Sequence, residues 1–309
     1  MKGLADLGWI GLGKMGRPLA RRLLKHGHNL TVYDIEKQRV ERFTEQTVSL
    51  ACSPAEVAQR SDIFFTMVTD DGALEEVIMG PSGVLDGVSK GTLLVDMGTH
   101  SPQTSTRLAK HLDQAGVMFL RAPVSGTFIH AAAGSLILFA SGPESAFQRC
   151  LPLFSLFAKK CYYLGKDEEA RYLKLLHNAM LGVTALMLAE ALTFGEKAGL
   201  DLSQMMDILN ESVVASPVMG YKTDSIKSRS FDLTFPATHM AKDLDIALDT
   251  ARHLATPMPL SVIARQFIEI MKATGRGQED FFALLNLMED LAGIHCQTRT
   301  ANTGKERGI

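Results

Sequence analysis

Residues 9–28 read WIGLGKMGRPLARRLLKHGH, and they place three glycines where a short apolar run stops and a basic, amphipathic run begins. Gly11, Gly13 and Gly16 satisfy G-x-G-x-x-G with a strand pattern before them and a helix pattern after. In that setting each glycine has a task. Gly11 permits a tight turn, Gly13 lets a pyrophosphate approach the backbone, and Gly16 lets the helix pack close to the strand. A phosphate there would meet free N–H groups and the positive end of a helix dipole. The competing reading is a glycine-rich turn that holds nothing. Asp34 favours the ligand: it ends the next apolar run, LTVYD, eighteen residues after Gly16, where an acid reaches the hydroxyls of an adenine ribose. An acid there also favours NAD over NADP, whose 2′-phosphate would meet like charge. Lys37 and Arg39 lie close enough in sequence to serve a 2′-phosphate if the loop turned toward it.

Outward from this loop, short β-rich runs alternate with helical patterns: 7–11, 30–34, 48–52, 62–68, 92–98 and 117–124, then weaker runs at 136–142 and 161–165. Ser53-Pro54-Ala55-Glu56 is a capping box with proline at the first helical position, and Ser101-Pro102 repeats part of it. Nearly continuous apolar strands between helices mean a parallel sheet covered on both faces. The pattern changes near residue 165. From about 167 to 199 the chain reads as one helix, roughly 45–50 Å long, apolar on nearly every side in its middle. Helices are expected again around 202–211, 239–254, 260–274 and 278–292, with no convincing strand. The predicted fold is α/β: a Rossmann-type domain over 1–165, a long interdomain helix, and an all-α domain completing 166–309. The polar tail after about 295 is expected to be disordered.

Composition narrows the function classes. Of 309 residues, 46% are apolar and 21% charged, with a net charge of −2 and no long basic run. Nucleic-acid and membrane-surface roles have no electrostatic support. The uncharged stretch 175–189 is shorter than the ~20 apolar residues of a membrane span. Cys52, Cys150, Cys161 and Cys296 are scattered and read as free thiols, and the nine histidines show no metal-site spacing. Met1–Gly8 has no leader pattern, so a cytoplasmic protein is expected.

Four segments in order resemble the β-hydroxyacid dehydrogenase family: GLGKMGRPLARRLL from Gly11, APVSGT at 122–127, KLLHN at 174–178, and KDLDIALDTA at 242–251 followed by GRGQED at 275–280. The resemblance covers about residues 7–292. It implies the same fold, assembly as a homodimer or homotetramer, and hydride transfer between a nicotinamide and a small 3-hydroxy acid or its semialdehyde. By the same carry-over, Leu12 and Met15 join the three glycines and Asp34 around the cofactor. Thr99 contacts the nicotinamide, and Lys242 closes over it unless it merely pairs with Asp243 or Asp245. Ser125 and Gly126 hold a substrate carboxylate. Lys174 becomes the general acid/base, and Asn178, one helical turn on, holds the substrate hydroxyl or the lysine. Carbonyl reduction builds negative charge on oxygen, which an ammonium stabilises and protonates.

Three departures flank these segments. Arg121 stands where the family usually has aspartate, Thr127 where it has a second glycine, and Gly98 where serine is more frequent. They put substrate identity in question. Arg121 and Thr127 are candidate donors to an extra polar or anionic group of the substrate, and the alternative function is reduction of another small acidic aldehyde, such as a sulfonated aldehyde or succinic semialdehyde. Alternatively, Arg121 turns away to pair with a protein carboxylate. A non-catalytic relative would typically lack the lysine that this chain keeps. His177 and His239 read as packing or surface residues.

Overall fold

A computed structural model describes residues 5–43 and 47–294. The expected tail disorder and Cys296 lie outside the described residues. The chain forms two compact units that meet at Leu176/His177, inside the long helix rather than at its start.

The first unit is built on a nine-stranded sheet. Its strands are β1 (Leu7–Ile10), β2 (Leu30–Tyr33), β3 (Val48–Leu50), β4 (Ile63–Thr66), β5 (Leu93–Asp96), β6 (Met118–Arg121), β7 (Val124–Ser125), β8 (Leu136–Ser141) and β9 (Ala158–Gly165). The sheet order is β3-β2-β1-β4-β5-β6-β8-β7, with β9 on β8. The first six strands are mutually parallel, and β8 runs against β6 and β7. Helices α1 (Gly16–Lys25), α2 (Lys37–Glu41), α3 (Pro54–Gln59), α4 (Asp71–Met79), α5 (Val84–Gly87), α6 (Pro102–Gln114), α7 (Phe128–Ala133) and α8 (Glu144–Phe154) connect them.

Period-two alternation divides the core between the two faces. Trp9, Phe65, Val95 and Leu120 pack into one cluster, while their neighbours Ile10, Phe64, Leu94 and Phe119 pack into the other. Both serine caps form, with Ser53 Oγ accepting from Glu56 N at 3.2 Å and Ser101 Oγ from Thr104 N at 3.1 Å, but the capping box is half made, since Glu56 accepts from Cys52 N rather than from Ser53 N.

Helix α9 (Glu169–Lys197) begins in the first unit and continues through the second, followed by α10 (Leu202–Glu211), α11 (Pro217–Ser228), α12 (Ala237–His253), α13 (Pro259–Ala273), a 3-10 turn (Phe281–Ala283) and α14 (Leu284–Leu291). One expectation needs correction. Helix α11 was not expected, although Ser216-Pro217 carries the same serine–proline start as α3 and α6, and Ser216 Oγ accepts from Met219 N at 3.3 Å. Helix α9 leaves one seam open in the single chain: Met180, Met187 and Phe194, seven residues apart, are 66, 54 and 76% exposed. By length and composition α9 would also pass for a membrane span, yet half of its most apolar window is buried inside the protein.

Candidate active site

The glycine loop lies beyond the carboxyl end of β1. Gly11 has φ +96°, and a Cβ there would come within 2.4 Å of the Met67 carbonyl oxygen. Only glycine takes this conformation readily. A Cβ on Gly16 would lie 1.9 Å from the Gly11 carbonyl oxygen, so α1 leaves the strand at the closest approach possible. Gly13 differs: the nearest atom to a Cβ there is Arg39 Nη1, 3.8 Å away. Its surface is open, and the α1 N-terminus carries no side-chain cap at Met15 and no acidic residue in its first turn. A backbone open at Gly13, ahead of uncapped helix N–H groups, fits the pyrophosphate of a dinucleotide.

Asp34 braces this loop. Its Oδ2 accepts from Leu12 N at 2.6 Å and its Oδ1 from Glu36 N at 2.8 Å. Arg39 stands 3.7 Å from the same carboxylate and 2.6 Å from Glu36. An acid suited to a ribose diol and a cation suited to a phosphate therefore lie side by side.

The substrate segment follows β6. Val124 and Ser125 form β7, paired with Leu138 and Ile137 of β8. This two-residue strand escaped the sequence pattern, which merges it into the run 117–124. Gly126 has φ +127° and is exposed. Lys174, half-buried on α9, donates from Nζ to the Val124 carbonyl at 2.8 Å. The structure thus joins Lys174 to the segment that carries Ser125 and Gly126, fifty residues away in sequence. Thr99 is half-buried in the loop between β5 and α6.

Two residues expected at the substrate make contacts within the protein instead. Arg121 is 6% exposed, and its donors are committed within the protein: Nη2 to Glu168 Oε1, Nε to Ser105 Oγ at 3.3 Å, Nη1 to the Phe119 carbonyl at 3.4 Å. Its guanidinium also lies over the Phe119 ring, 4.5 Å from the centroid. Burial lowers its pKa, and Glu168 opposes the shift. It adopts the carboxylate pairing offered as the alternative, but buried rather than on the surface. Thr127 starts α7: its N–H donates to His130 Nδ1 at 3.2 Å, and its hydroxyl lies 3.1 Å from the same nitrogen. It stands at a helix start and is half-buried.

Arg121 belongs to a buried ionic chain that the sequence reading missed. Glu168 also faces Arg171, with Nε 3.3 Å from Oε2. Arg171 Nη2 donates to Asp96 Oδ2 at 2.8 Å, and that oxygen is 2.9 Å from His100 Nδ1. Thr66 donates to Asp96 Oδ1 at 2.6 Å. Burial would raise the Asp96 carboxyl, but His100, Arg171 and the hydrogen bonds hold it well below the usual carboxylate range. The departure at Gly98 has the same origin, because a Cβ there would lie 2.2 Å from His100 Cε1. The available signal was Glu168 and Arg171, three apart on one helix face.

In the second unit, Asn178 is buried. Its Nδ2 donates to Asp243 Oδ2 at 2.5 Å, and its Oδ1 lies 3.0 Å from His177 Nδ1. Lys242 Nζ stands 2.8 Å from Asp243 Oδ1, the pairing that the alternative reading of Lys242 named. Asp243 is thus the hub between two expected site residues. His239 packs edge-on against Phe235, 5.9 Å between centroids. Among the described residues no cluster of His, Cys, Asp or Glu is placed to hold a metal ion.

Residues 6–165 match the family described as the NAD binding domain of 6-phosphogluconate dehydrogenase. Residues 169–288 match the NAD-binding domain of NADP-dependent 3-hydroxyisobutyrate dehydrogenase. The chain is 34% identical to 2-(hydroxymethyl)glutarate dehydrogenase of Eubacterium barkeri over 289 residues, 93% of this chain and 96% of the relative. It is 33% identical to mitochondrial 3-hydroxyisobutyrate dehydrogenase of Mus musculus over 297 residues, 94% and 89% of the two chains. The crystal structure of 3-hydroxyisobutyrate dehydrogenase from Salmonella typhimurium superposes with a TM-score of 0.82 at 26% identity, covering 91% of this chain and 99% of that one.

Proposed function

The chain belongs to the β-hydroxyacid dehydrogenase family, as an oxidoreductase of CH–OH groups with a nicotinamide cofactor, and we propose that it interconverts a small 3-hydroxy acid and its semialdehyde with Lys174 as the proton-transfer group. The observation that carries this reading is the bond from Lys174 Nζ to the Val124 carbonyl. It sets an amine beside the backbone of Ser125 and Gly126, the residues assigned to the substrate carboxylate.

A nicotinamide dinucleotide would be held at its pyrophosphate by the glycine loop, at its adenine ribose by Asp34 and at its nicotinamide by Thr99, and would supply the hydride acceptor or donor. In oxidation the hydroxyl proton of the substrate leaves to neutral Nζ, and in reduction the ammonium returns it to the developing alkoxide. Ser125 and Gly126 fix the carboxylate and so decide which carbon faces the ring. Arg121 is engaged with Glu168, which supports a substrate without an extra anionic group at that position. The acid at Asp34 supports NAD as the preferred cofactor. Met180, Met187 and Phe194 form an exposed apolar seam with coiled-coil spacing, which supports a homodimer or homotetramer built on α9.

The test is turnover of 3-hydroxyisobutyrate, 2-(hydroxymethyl)glutarate, serine and tartronate semialdehyde with each cofactor, in wild type and in Lys174→Ala. The variant should lose about 10²–10⁴ in kcat while the cofactor Kd stays within about threefold. A variant that keeps turnover removes Lys174 from the chemistry. A wild-type protein inactive on the whole panel, in both directions, defeats the substrate class.

A further inference from the structure

The buried chain Arg121–Glu168–Arg171–Asp96–His100 lies directly behind the segments assigned to the reaction. Asp96 and Arg121 are register partners at the carboxyl ends of β5 and β6. Glu168 immediately precedes α9 and Arg171 lies in its first turn. Two positive and two negative side chains close the chain, each less than a tenth exposed, so it is charge-balanced without solvent.

Its members other than Glu168 lie within four residues of a candidate site residue in sequence. Asp96 is three residues before Thr99, and His100 one after. Arg121 is four before Ser125. Arg171 is three before Lys174. Arg121 with Glu168, and Val124 with Lys174, form two parallel attachments between the same pair of segments, three residues apart on one strand of the pair and six on the other. One attachment alone would let the helix pivot. Two fix the distance and the rotation of α9 against the substrate segment.

We propose that this ionic chain, with Arg171 at its centre, is the positioning device of the reaction: it fixes Lys174 against the Val124–Gly126 segment and the Thr99 loop. Arg171 is a positioning residue that touches no reacting atom. The planar fork of its guanidinium faces Asp96 with one nitrogen and Glu168 with another, which the single ammonium of lysine cannot reproduce. The inference rests on Lys174 as the proton-transfer group. It also accounts for Arg121 and Gly98 as parts of one device rather than as substrate contacts.

Two variants test it in the full chain. The double variant Arg121→Met, Glu168→Leu removes the outer half of the chain without leaving a charge unpaired, an exchange that is often neutral for stability. Arg171→Lys keeps the inner charge and loses the fork. In each, kcat should fall roughly ten- to a hundredfold, as expected for a catalytic group misplaced by about an ångström. The primary deuterium isotope effect on kcat should rise as chemistry becomes limiting, while cofactor Kd and melting temperature stay near wild type. Unchanged kcat and isotope effect in both variants overturn the proposal. So does a loss of kcat that only tracks a loss of cofactor binding or of folded protein, because the chain would then serve stability alone. Lys174→Ala in the same assay separates the two claims: if it remains active, the reading of the site has failed, and if only it is impaired, the positioning has failed.

Discussion

Each unit buries an ionic cluster, and the two clusters differ in what they border. In the first unit the chain from Arg121 to His100 runs beneath segments that carry Thr99, Ser125 and Lys174. In the second, Lys222 Nζ stands 2.9 Å from Asp280 Oδ1 and donates to Thr234 Oγ1 at 2.9 Å. Asp280 also accepts from the backbone N–H groups of Thr234, Phe235 and Phe282 at 3.2, 3.1 and 3.1 Å. This second cluster closes loop ends onto α11 and the start of α12, and every bond it makes is to a structural neighbour. The electrostatics are alike in both: a buried charge is tolerable only with its partner and its hydrogen bonds in place. What separates positioning from clamping is the neighbourhood.

The sharpest way to break the comparison is Asp280→Ala. It strands the Lys222 ammonium and three backbone N–H groups, so stability should fall by about 3–5 kcal/mol. Thermal and urea melts measure that loss. Per folded molecule, kcat should stay within about threefold of wild type. A large loss of kcat in fully folded protein would show that the second cluster also governs the reaction, and the contrast would collapse.

Gly98→Ser probes the first cluster from its packing side. The new Cβ would meet the His100 ring, which is fixed by Asp96 and has no flexible end to withdraw. Stability should drop by about 1–3 kcal/mol, the range for overpacking a core. Adding His100→Val removes the ring, so the double variant should recover part of that loss, a coupling of at least about 0.5 kcal/mol. Additive losses would mean that the glycine is required for some reason other than this imidazole.

The legibility of the molecule follows the same division. The doubly wound sheet, the glycine loop and α9 were readable because each leaves a local mark: period-two strands, fixed glycine spacing, a long apolar run without proline. The roles of Gly11 and Gly16 are matters of backbone close approach, and sequence spacing encodes that directly. The ionic chain was not readable, since Asp96, Arg121 and Arg171 meet only through tertiary structure, and single charged residues at strand ends look like surface residues. Arg121 shows the cost: a strand-end arginine next to the substrate segment has the same sequence context whether it faces a ligand or Glu168. Asp243 was missed for a related reason, because a carboxylate beside Lys242 looks like a local surface partner until Asn178 arrives from another helix. Helix α11 failed differently. Its Ser216-Pro217 start was legible and went unused.

Asp34 is a buried carboxylate outside both clusters, and it sharpens the comparison because it sits between the two kinds. It clamps, by accepting from Leu12 N and Glu36 N, and it also borders the open face at Gly13. On the proposed preference for NAD, its charge rather than its shape would oppose a 2′-phosphate. Asn keeps one acceptor oxygen and loses the charge, so Asp34→Asn isolates that term. The ratio of kcat/KM for NAD over NADP should fall roughly tenfold, about 1.4 kcal/mol of lost discrimination. Arg39, 3.7 Å from the carboxylate, would then face a 2′-phosphate with less competition from Asp34, which works in the same direction. The loop should loosen slightly, by about 1 kcal/mol, from the one backbone bond no longer accepted. The measurement is kcat/KM for both cofactors in both proteins, at one ionic strength because the effect is screened by salt. An unchanged ratio would make Asp34 a clamp like Asp280. Equal or better use of NADPH by the unmodified protein would overturn NAD as the preferred cofactor.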